Sequence, residues 1–440
     1  MIIMFRIGMA AALVASMLVA VPASATTSTA CSSDGWLGAW RAQPGGAQRF
    51  LQEDANDPLA NFAVYPLALP RKISDQTLRI ITTPLTSGDT ARLRFSNKYG
   101  KDAVTFHNVF AGKQQSGAEL VWGTNTPVYF NGADSVRVAP GQEVVTDPFP
   151  ISVRPFDKIA VSFHIPEKLN SPPTYHFDGN HTSYLSPTGS GNHAGNLVGT
   201  QFTEQTTSSY YVTGIDVRGT TPALVVLGDS FTESVATTVD ADRRWPDVLT
   251  RRLQAEGSPV SVVSSAISFN FASRGIRPTV LGPTLAGIGG AAGPDRFQSD
   301  VVDVPGAKAV VVLLGMNDLG FFGSAEQVIA AYKELAAKAH AAGLKIIGGT
   351  LTPTAGAPLA EATYSLPTAL KGREKVNRFI RTSGLFDEVI DFAAAVEDPA
   401  RPGHWKAGYS PDNVHPGDKG AQAEGEAIDL AMINRVTRCG

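Results

Sequence analysis

Ala223-Leu224-Val225-Val226-Leu227-Gly228-Asp229-Ser230 decides the architecture. Five apolar residues stop at a glycine, and a polar segment, Phe231 to Asp242, leads into a helical pattern at Trp245-Pro246-Asp247-Val248-Leu249. A short run of Val and Leu reads as a strand buried on both faces of a parallel sheet. Strand, tight turn and helix then place Ser230 at the C-terminal end of that strand, where open α/β sheets bind their ligands. A serine held on such a turn presents its hydroxyl beside the amides of the next helix, which suits a nucleophile. Gly-Asp-Ser is also ordinary turn chemistry, so the triplet decides nothing until the rest of the chain is read.

Downstream, the texture repeats. Strands are expected at Val260 to Ser264, Ala309 to Leu314, Leu344 to Gly348 and Val389 to Asp391. Helices are expected at Trp245 to Ala255, Arg296 to Val302, Glu326 to Ala342, Leu370 to Ser383 and Gly420 to Asn434. Strands alternating with helices predict a parallel sheet covered on both faces. Gly343 suits the position just past a helix end. The stretch Gly282 to Gly293 is long for a connection and reads as a mobile active-site edge, with Leu281 to Ala292 either an apolar lid or a plain loop.

Upstream of the linker Arg218-Gly219-Thr220-Thr221-Pro222 the apolar runs are short and Gly and Pro fall between them. Ala91-Arg92-Leu93-Arg94-Phe95-Ser96 alternates cleanly and meets Asn97-Lys98-Tyr99-Gly100, a turn signal. Similar runs at Leu78 to Thr83, Ala103 to Phe110, Ser135 to Val138, Glu143 to Val145, Ile151 to Val153, Lys158 to His164 and Ser208 to Val217 predict an all-β sandwich of jelly-roll type. Of the histidines here, only His176 and His181, in the aromatic and amide-rich stretch Tyr175 to Tyr184, have the density of a sugar or ester groove. A polar loop of ordinary turn residues is the commoner explanation. Their spacing does not suit zinc, and no cysteine joins them. Asn180-His181-Thr182 is also a glycosylation sequon.

The N-terminus reads as an export signal: Arg6, an apolar run from Ile7 to Val21, and Ala23-Ser24-Ala25 as a cleavage site. A lipid anchor on Cys31 fits poorly, since Ser28 stands where Leu is expected. The expected boundaries are a signal peptide over 1–25, a β-sandwich accessory domain over 31–218 and a catalytic domain over 222–440. Charged residues make up 18% of the chain and the formal net charge is -3, with no basic run to track phosphates, which argues against nucleic acid. No second apolar stretch is long enough to span a bilayer. Location is therefore expected to be extracellular, or periplasmic in a host with an outer membrane. The two cysteines, Cys31 and Cys439, sit at the two ends of the mature chain. Export favours a disulfide between them, because chain termini often lie close in space; two separate thiols are the alternative.

A second buried run, Val310 to Leu314, ends in Gly315-Met316-Asn317-Asp318. An asparagine at that strand end can donate its amide to a developing oxyanion. Near the C-terminus comes Ser410-Pro411-Asp412-Asn413-Val414-His415-Pro416-Gly417. Asp412, three residues before His415 on a proline-braced loop, can hold the imidazole and leave its other nitrogen free to take a proton from a serine. Each group alone has an ordinary role in a turn or cap. Together, nucleophile, oxyanion donor and oriented base form a complete acyl-transfer set on one sheet edge.

Gly228-Asp229-Ser230, Gly315-Met316-Asn317-Asp318 and Asp412-Asn413-Val414-His415-Pro416 resemble blocks I, III and V of the SGNH (GDSL) hydrolases, over about Ala223 to Leu430. With the β-rich half in front, the chain is similar to a secreted bacterial subgroup of that superfamily. The resemblance implies a flavodoxin-like three-layer α/β fold and hydrolysis of carboxylic esters through an acyl-enzyme. It gives Ser230 as nucleophile, His415 as base, Asp412 as its partner, and Ser230, Phe269 and Asn317 as oxyanion donors. Neither metal nor cofactor is required. Block II departs from the pattern: in Ser264-Ser265-Ala266-Ile267-Ser268-Phe269-Asn270, Phe269 stands where the family has glycine. Its backbone N–H survives the change, while its ring crowds the approach of a ligand. Phe231 replaces the block I leucine. Asp229, beside the nucleophile, reads as a brace for the turn. The substrate implied is a small-molecule or polysaccharide-linked ester carrying a short acyl or O-acetyl group. The alternatives are a lipase or acyltransferase of the same superfamily, or a catalytically silent carbohydrate-binding protein.

Overall fold

The computed structural model describes residue 31 and residues 34–46, 72–276 and 289–439. The export signal and most of the 282–293 stretch, with the lid reading attached to it, lie outside the described residues.

Five parallel strands carry the second half: β1 (Ala223–Gly228), β2 (Ser261–Ser264), β3 (Ala307–Leu313), β4 (Lys345–Gly349) and β5 (Glu388–Ile390). Their order is β2-β1-β3-β4-β5. All six residues of β1 are buried, as a Val/Leu run covered on both faces requires. Each such side chain stabilises by roughly 1.5–3 kcal/mol on burial. The chain leaves β1 toward β2 on one side and returns to β3 on the other. Such a reversal in strand order is the place beyond whose strand ends ligands bind in open α/β sheets.

The flanking helices follow local signals. Trp245–Ala255 has the expected bounds, and its first turn is closed by the Asp247 carboxylate accepting from the Arg244 N–H at 3.0 Å. Ala325–Ala341 opens on a reciprocal Ser324/Gln327 capping box, and Gly343 follows it at φ +71°. Two expectations need correction. The helix expected over Gly420 to Asn434 is two, Asp418–Glu426 and Leu430–Val436, because the Asp429 carboxylate accepts from the Ala431 N–H and starts the second afresh. The helix expected over Arg296 to Val302 is a short α-turn, Gly293–Phe297, running into a π-helical turn, Gln298–Val302.

The first half is strand-rich and antiparallel. One sheet orders Trp36–Arg41, Val212–Arg218, Gly88–Ser96 and Glu143–Val145, with Phe149–Val153 also paired to Gly88–Ser96. The other orders Glu204–Thr206, Ser183–Leu185, Ser74–Thr82, Ile159–Lys168, Val104–Ser116 and Glu119–Leu120. The first strand, Trp36–Arg41, carries no clear alternation, so no local pattern predicts it. The run expected over Ser208 to Val217 is broken at Tyr211, at φ +61°, into two strands. Alternation along Gly88–Ser96 sends Ala91, Leu93 and Phe95 inward. Phe95 meets Phe106 and Phe163 of the other sheet at ring centroid distances of 4.7 and 5.3 Å. Arg92 and Arg94 point the other way and, with Arg41, surround the buried Asp216 carboxylate.

The two halves meet directly. The Gly38 N–H donates to the Pro305 carbonyl at 2.9 Å, and the Ser261 hydroxyl donates to the Gly38 carbonyl at 2.8 Å. Cys31 and Cys439 are disulfide-bonded, with Cα atoms 5.3 Å apart, as the cysteine placement anticipates. Among the described residues no helix is long and apolar enough to cross a membrane.

Candidate active site

The site is built on the ends of β1 and β3. Gly228 is required by close approach: a Cβ there would lie 2.2 Å from the Thr232 hydroxyl oxygen. The chain turns at once into a single helical turn, Ser230–Glu233, which Asp229 caps by accepting from the Phe231 N–H at 3.0 Å. Asp229 thus braces the turn, and Ser230 sits at its first position, 5% exposed. Gly315 ends β3 at φ +128°, a conformation open to glycine. It starts the short helix Met316–Gly320 that carries Asn317 and Asp318.

Folding brings the remote C-terminal loop onto this edge. Ser230 Oγ lies 3.0 Å from His415 Nε2, and His415 Nδ1 lies 2.8 Å from Asp412 Oδ2. Asp412 Oδ1 accepts from the Val414 and His415 N–H groups at 2.8 and 2.7 Å and from the Ser410 hydroxyl at 3.0 Å. Asn413, at φ +59°, makes the turn that lets Asp412 reach back. Burial by itself would raise the Asp412 pKa, but the hydrogen bond and charge of His415 and the backbone N–H groups hold it down to about 2. Burial by itself would lower His415; the hydrogen bond and charge of Asp412, then Glu361 and Asp229, leave it raised. The carboxylate therefore stays charged and favours a proton on the imidazole, which is what a general base needs.

Asn317 is fully buried. Its Nδ2 donates to the Asn270 carbonyl at 2.8 Å and lies 3.2 Å from Asp229 Oδ2. Its Oδ1 accepts from the Tyr364 hydroxyl at 2.6 Å. The amide is thus fixed end for end, with its donor side between Asp229 and the 270 loop. To reach an oxyanion it would give up the longer contact to Asp229. Burial, followed by the charges of Asp318 and Glu233, pushes the Asp229 carboxyl up to about 8, against the Phe231 N–H and His415, which pull it down. Asp318 accepts from the Ala272 and Ser273 N–H groups, both at 2.8 Å, and pins the same loop.

Phe269 lies on that loop at φ +62°. The Ile267 N–H donates to the Gly228 carbonyl at 3.1 Å, which keeps the loop beside the Ser230 turn. Several groups in this assembly escaped sequence reasoning. Arg296, expected only as part of a helix, is buried and donates to the Gly228 and Ser265 carbonyls and to Asn270 Oδ1. It ties the end of β1 to the 265–270 loop. Tyr364 and Glu361 share the short 3₁₀ segment Leu359–Ser365; Glu361 comes within 4.8 Å of ligand atoms of both Asp412 and His415. Neither carries a local sequence signal. The stretch Tyr175 to Tyr184 does reach this region: His176 Nε2 is 2.9 Å from Glu233 Oε1, and Asn180 Nδ2 donates to the Thr237 hydroxyl at 2.7 Å. His181 instead pairs with Asp242 at 2.8 Å.

Residues 226–423 match the model of the GDSL-like lipase/acylhydrolase family. Among solved structures, an aryl esterase of M. smegmatis is similar at 15% identity and a TM-score of 0.38, covering 49% of this chain and 99% of that one. A carbohydrate acetylesterase from Sinorhizobium meliloti is similar at 14% identity and 0.37, over 48% and 99%. A GDSL-like lipase from Bacteroides thetaiotaomicron is similar at 16% and 0.34, over 48% and 88%. No curated protein matches the chain.

Proposed function

Residues 226–423 are a GDSL-like lipase/acylhydrolase domain, and from that premise we propose that this chain is a secreted serine esterase acting on short-chain or O-acetyl esters. The observation that carries the reading is the chain of contacts from Ser230 Oγ through the His415 ring to Asp412, at 3.0 and 2.8 Å. His415 Nε2 takes the Ser230 proton as Oγ attacks the ester carbonyl. The tetrahedral oxyanion is received by the backbone N–H groups of Ser230 and Phe269 and by Asn317 Nδ2. His415 then protonates the leaving alkoxide, and water repeats the cycle on the acyl-enzyme. The chemistry calls on no metal or cofactor.

Secretion rests on the N-terminal apolar run and on the Cys31–Cys439 bond, since disulfides persist in oxidising compartments. The same reading divides the chain into a 31–218 accessory domain of jelly-roll type and a 222–440 flavodoxin-like catalytic domain. The β2-β1-β3-β4-β5 order supports the latter. An ester borne on a polysaccharide fits an exported enzyme with a strand-rich half.

Ser230→Ala tests the reading: turnover of p-nitrophenyl acetate and labelling by a fluorophosphonate should both vanish while the circular dichroism spectrum stays unchanged. A variant that keeps most of the activity removes Ser230 from the nucleophile's role.

A further inference from the structure

The block II departure sits where the two halves touch. Phe269 is at φ +62°, a conformation that bulky residues adopt only when their surroundings impose it. Two contacts from the strand-rich half converge on it here. The first is apolar: the half-buried Phe269 ring meets the buried Phe177 ring edge-on, with centroids 6.3 Å apart and planes at 69°. The second is polar and runs through the helical turn after the nucleophile. The Ser268 hydroxyl donates to Glu233 Oε2, Glu233 Oε1 lies 2.9 Å from His176 Nε2, and His176 Nδ1 donates to the Gln43 carbonyl at 2.8 Å. His176, Glu233 and Ser268 are all at most 5% exposed, so water offers them no ready substitute partners. Residues 268 and 269 are thereby gripped by one side chain each.

We propose that the strand-rich half is a positioning part of the acyl-transfer site. His176, acting through Glu233 and Ser268, and Phe177, acting through the Phe269 ring, hold residue 269 left-handed, so that its backbone N–H keeps the place a glycine's would take. The inference rests on the reading of that N–H as an oxyanion donor. It gives the strand-rich half a role in turnover that is separate from binding a polymer. It also explains how a phenylalanine is tolerated at a position where the family has glycine.

The test is a set of double-mutant cycles on the full chain, with kcat and KM measured on p-nitrophenyl acetate and folding checked by circular dichroism. Phe177→Leu and His176→Gln are each made in the wild type and in Phe269→Gly. In the wild type each should lower kcat about tenfold with KM within twofold, the population loss that follows when the cost of one left-handed residue is no longer offset. In Phe269→Gly each should cost less than twofold, because glycine takes the conformation unaided. Equal losses in both backgrounds, a wild-type kcat in Phe177→Leu, or an inactive but folded Phe269→Gly overturns the proposal. If His176→Gln does not fold, Phe177→Leu decides alone. A wild type that neither hydrolyses the ester nor takes the fluorophosphonate label overturns the esterase reading and the positioning role together. An active wild type with equal losses overturns the positioning role only.

Discussion

Replacing Tyr364 by phenylalanine isolates the orientation of the Asn317 amide. The Tyr364 hydroxyl donates to Asn317 Oδ1 at 2.6 Å, and both side chains are buried. Tyr364→Phe removes one oxygen and leaves a buried carbonyl oxygen without its donor, a change worth about 1–3 kcal/mol. On the proposed role of Asn317, Asn317→Ala is the complete loss of an oxyanion donor, which typically costs about 10²–10³ in kcat. The phenol deletion should cost less, because the Asn270 carbonyl still holds Nδ2 at 2.8 Å. We expect kcat on p-nitrophenyl acetate to fall roughly tenfold, which corresponds to about 1.4 kcal/mol in the transition state, with KM within twofold. The melting temperature should drop by a few degrees at most. In Asn317→Ala the same phenol deletion should cost under twofold, since the group it orients is gone. The reasoning is refuted if Tyr364→Phe keeps wild-type kcat, or if it costs the same factor with and without Asn317.

Further outcomes follow from the structure. On the proposed mechanism His415 must be neutral to accept the Ser230 proton, and its pKa is raised above the ordinary 6.5; kcat/KM should therefore decline as pH falls through a value above 6.5. Glu361→Gln removes one of the carboxylates that raise it and should move this acid limb to lower pH, and a limb that stays put or moves up contradicts the assignment. Asp216 is held down to about 2 by Arg41 and Arg94, against burial, so its share of the stability, on the order of 2 kcal/mol, is present above about pH 3.9 and lost as pH falls toward 2. Asp216→Ala strands three arginines and should cost about 3–5 kcal/mol in urea unfolding; a loss below about 1 kcal/mol would show that the cluster is not coupled. Reducing the Cys31–Cys439 bond, which closes a loop spanning a sequence separation of 408, removes at most about 6 kcal/mol in the chain-entropy model. The melting temperature should fall on reduction while kcat at 25 °C stays unchanged, and an unaltered melt would mean the bond adds nothing to stability.

What was legible in the sequence is what short-range physics writes into it. A run such as Ala223 to Leu227 has one comfortable fate, a strand covered on both faces, and alternation over Ala91 to Ser96 has another. Glycines at 228 and 315 mark the places where those strands must turn. Asp412 and His415 are three residues apart, so their pairing is nearly a local matter. Local signals mislead where they are weak or tied: a single helical pattern over Gly420 to Asn434 hides the restart that the Asp429 carboxylate makes, and the Trp36–Arg41 strand has too little alternation to announce itself.

Residue types and local patterns along the chain mark which groups are equipped for acyl-transfer chemistry and set each at the end of a strand or on a loop beside one. Which of them meet is set by folding alone. Ser230 and His415 are 185 positions apart, and their 3.0 Å contact exists because the parallel order β2-β1-β3-β4-β5 gathers the strand ends on one edge. Tyr364, Glu361 and Arg296 reach the same edge from segments whose local sequence says nothing of it. Hydrogen bonds and burial act through space, and a side chain's partners are set by where the chain returns, which no periodicity along it encodes.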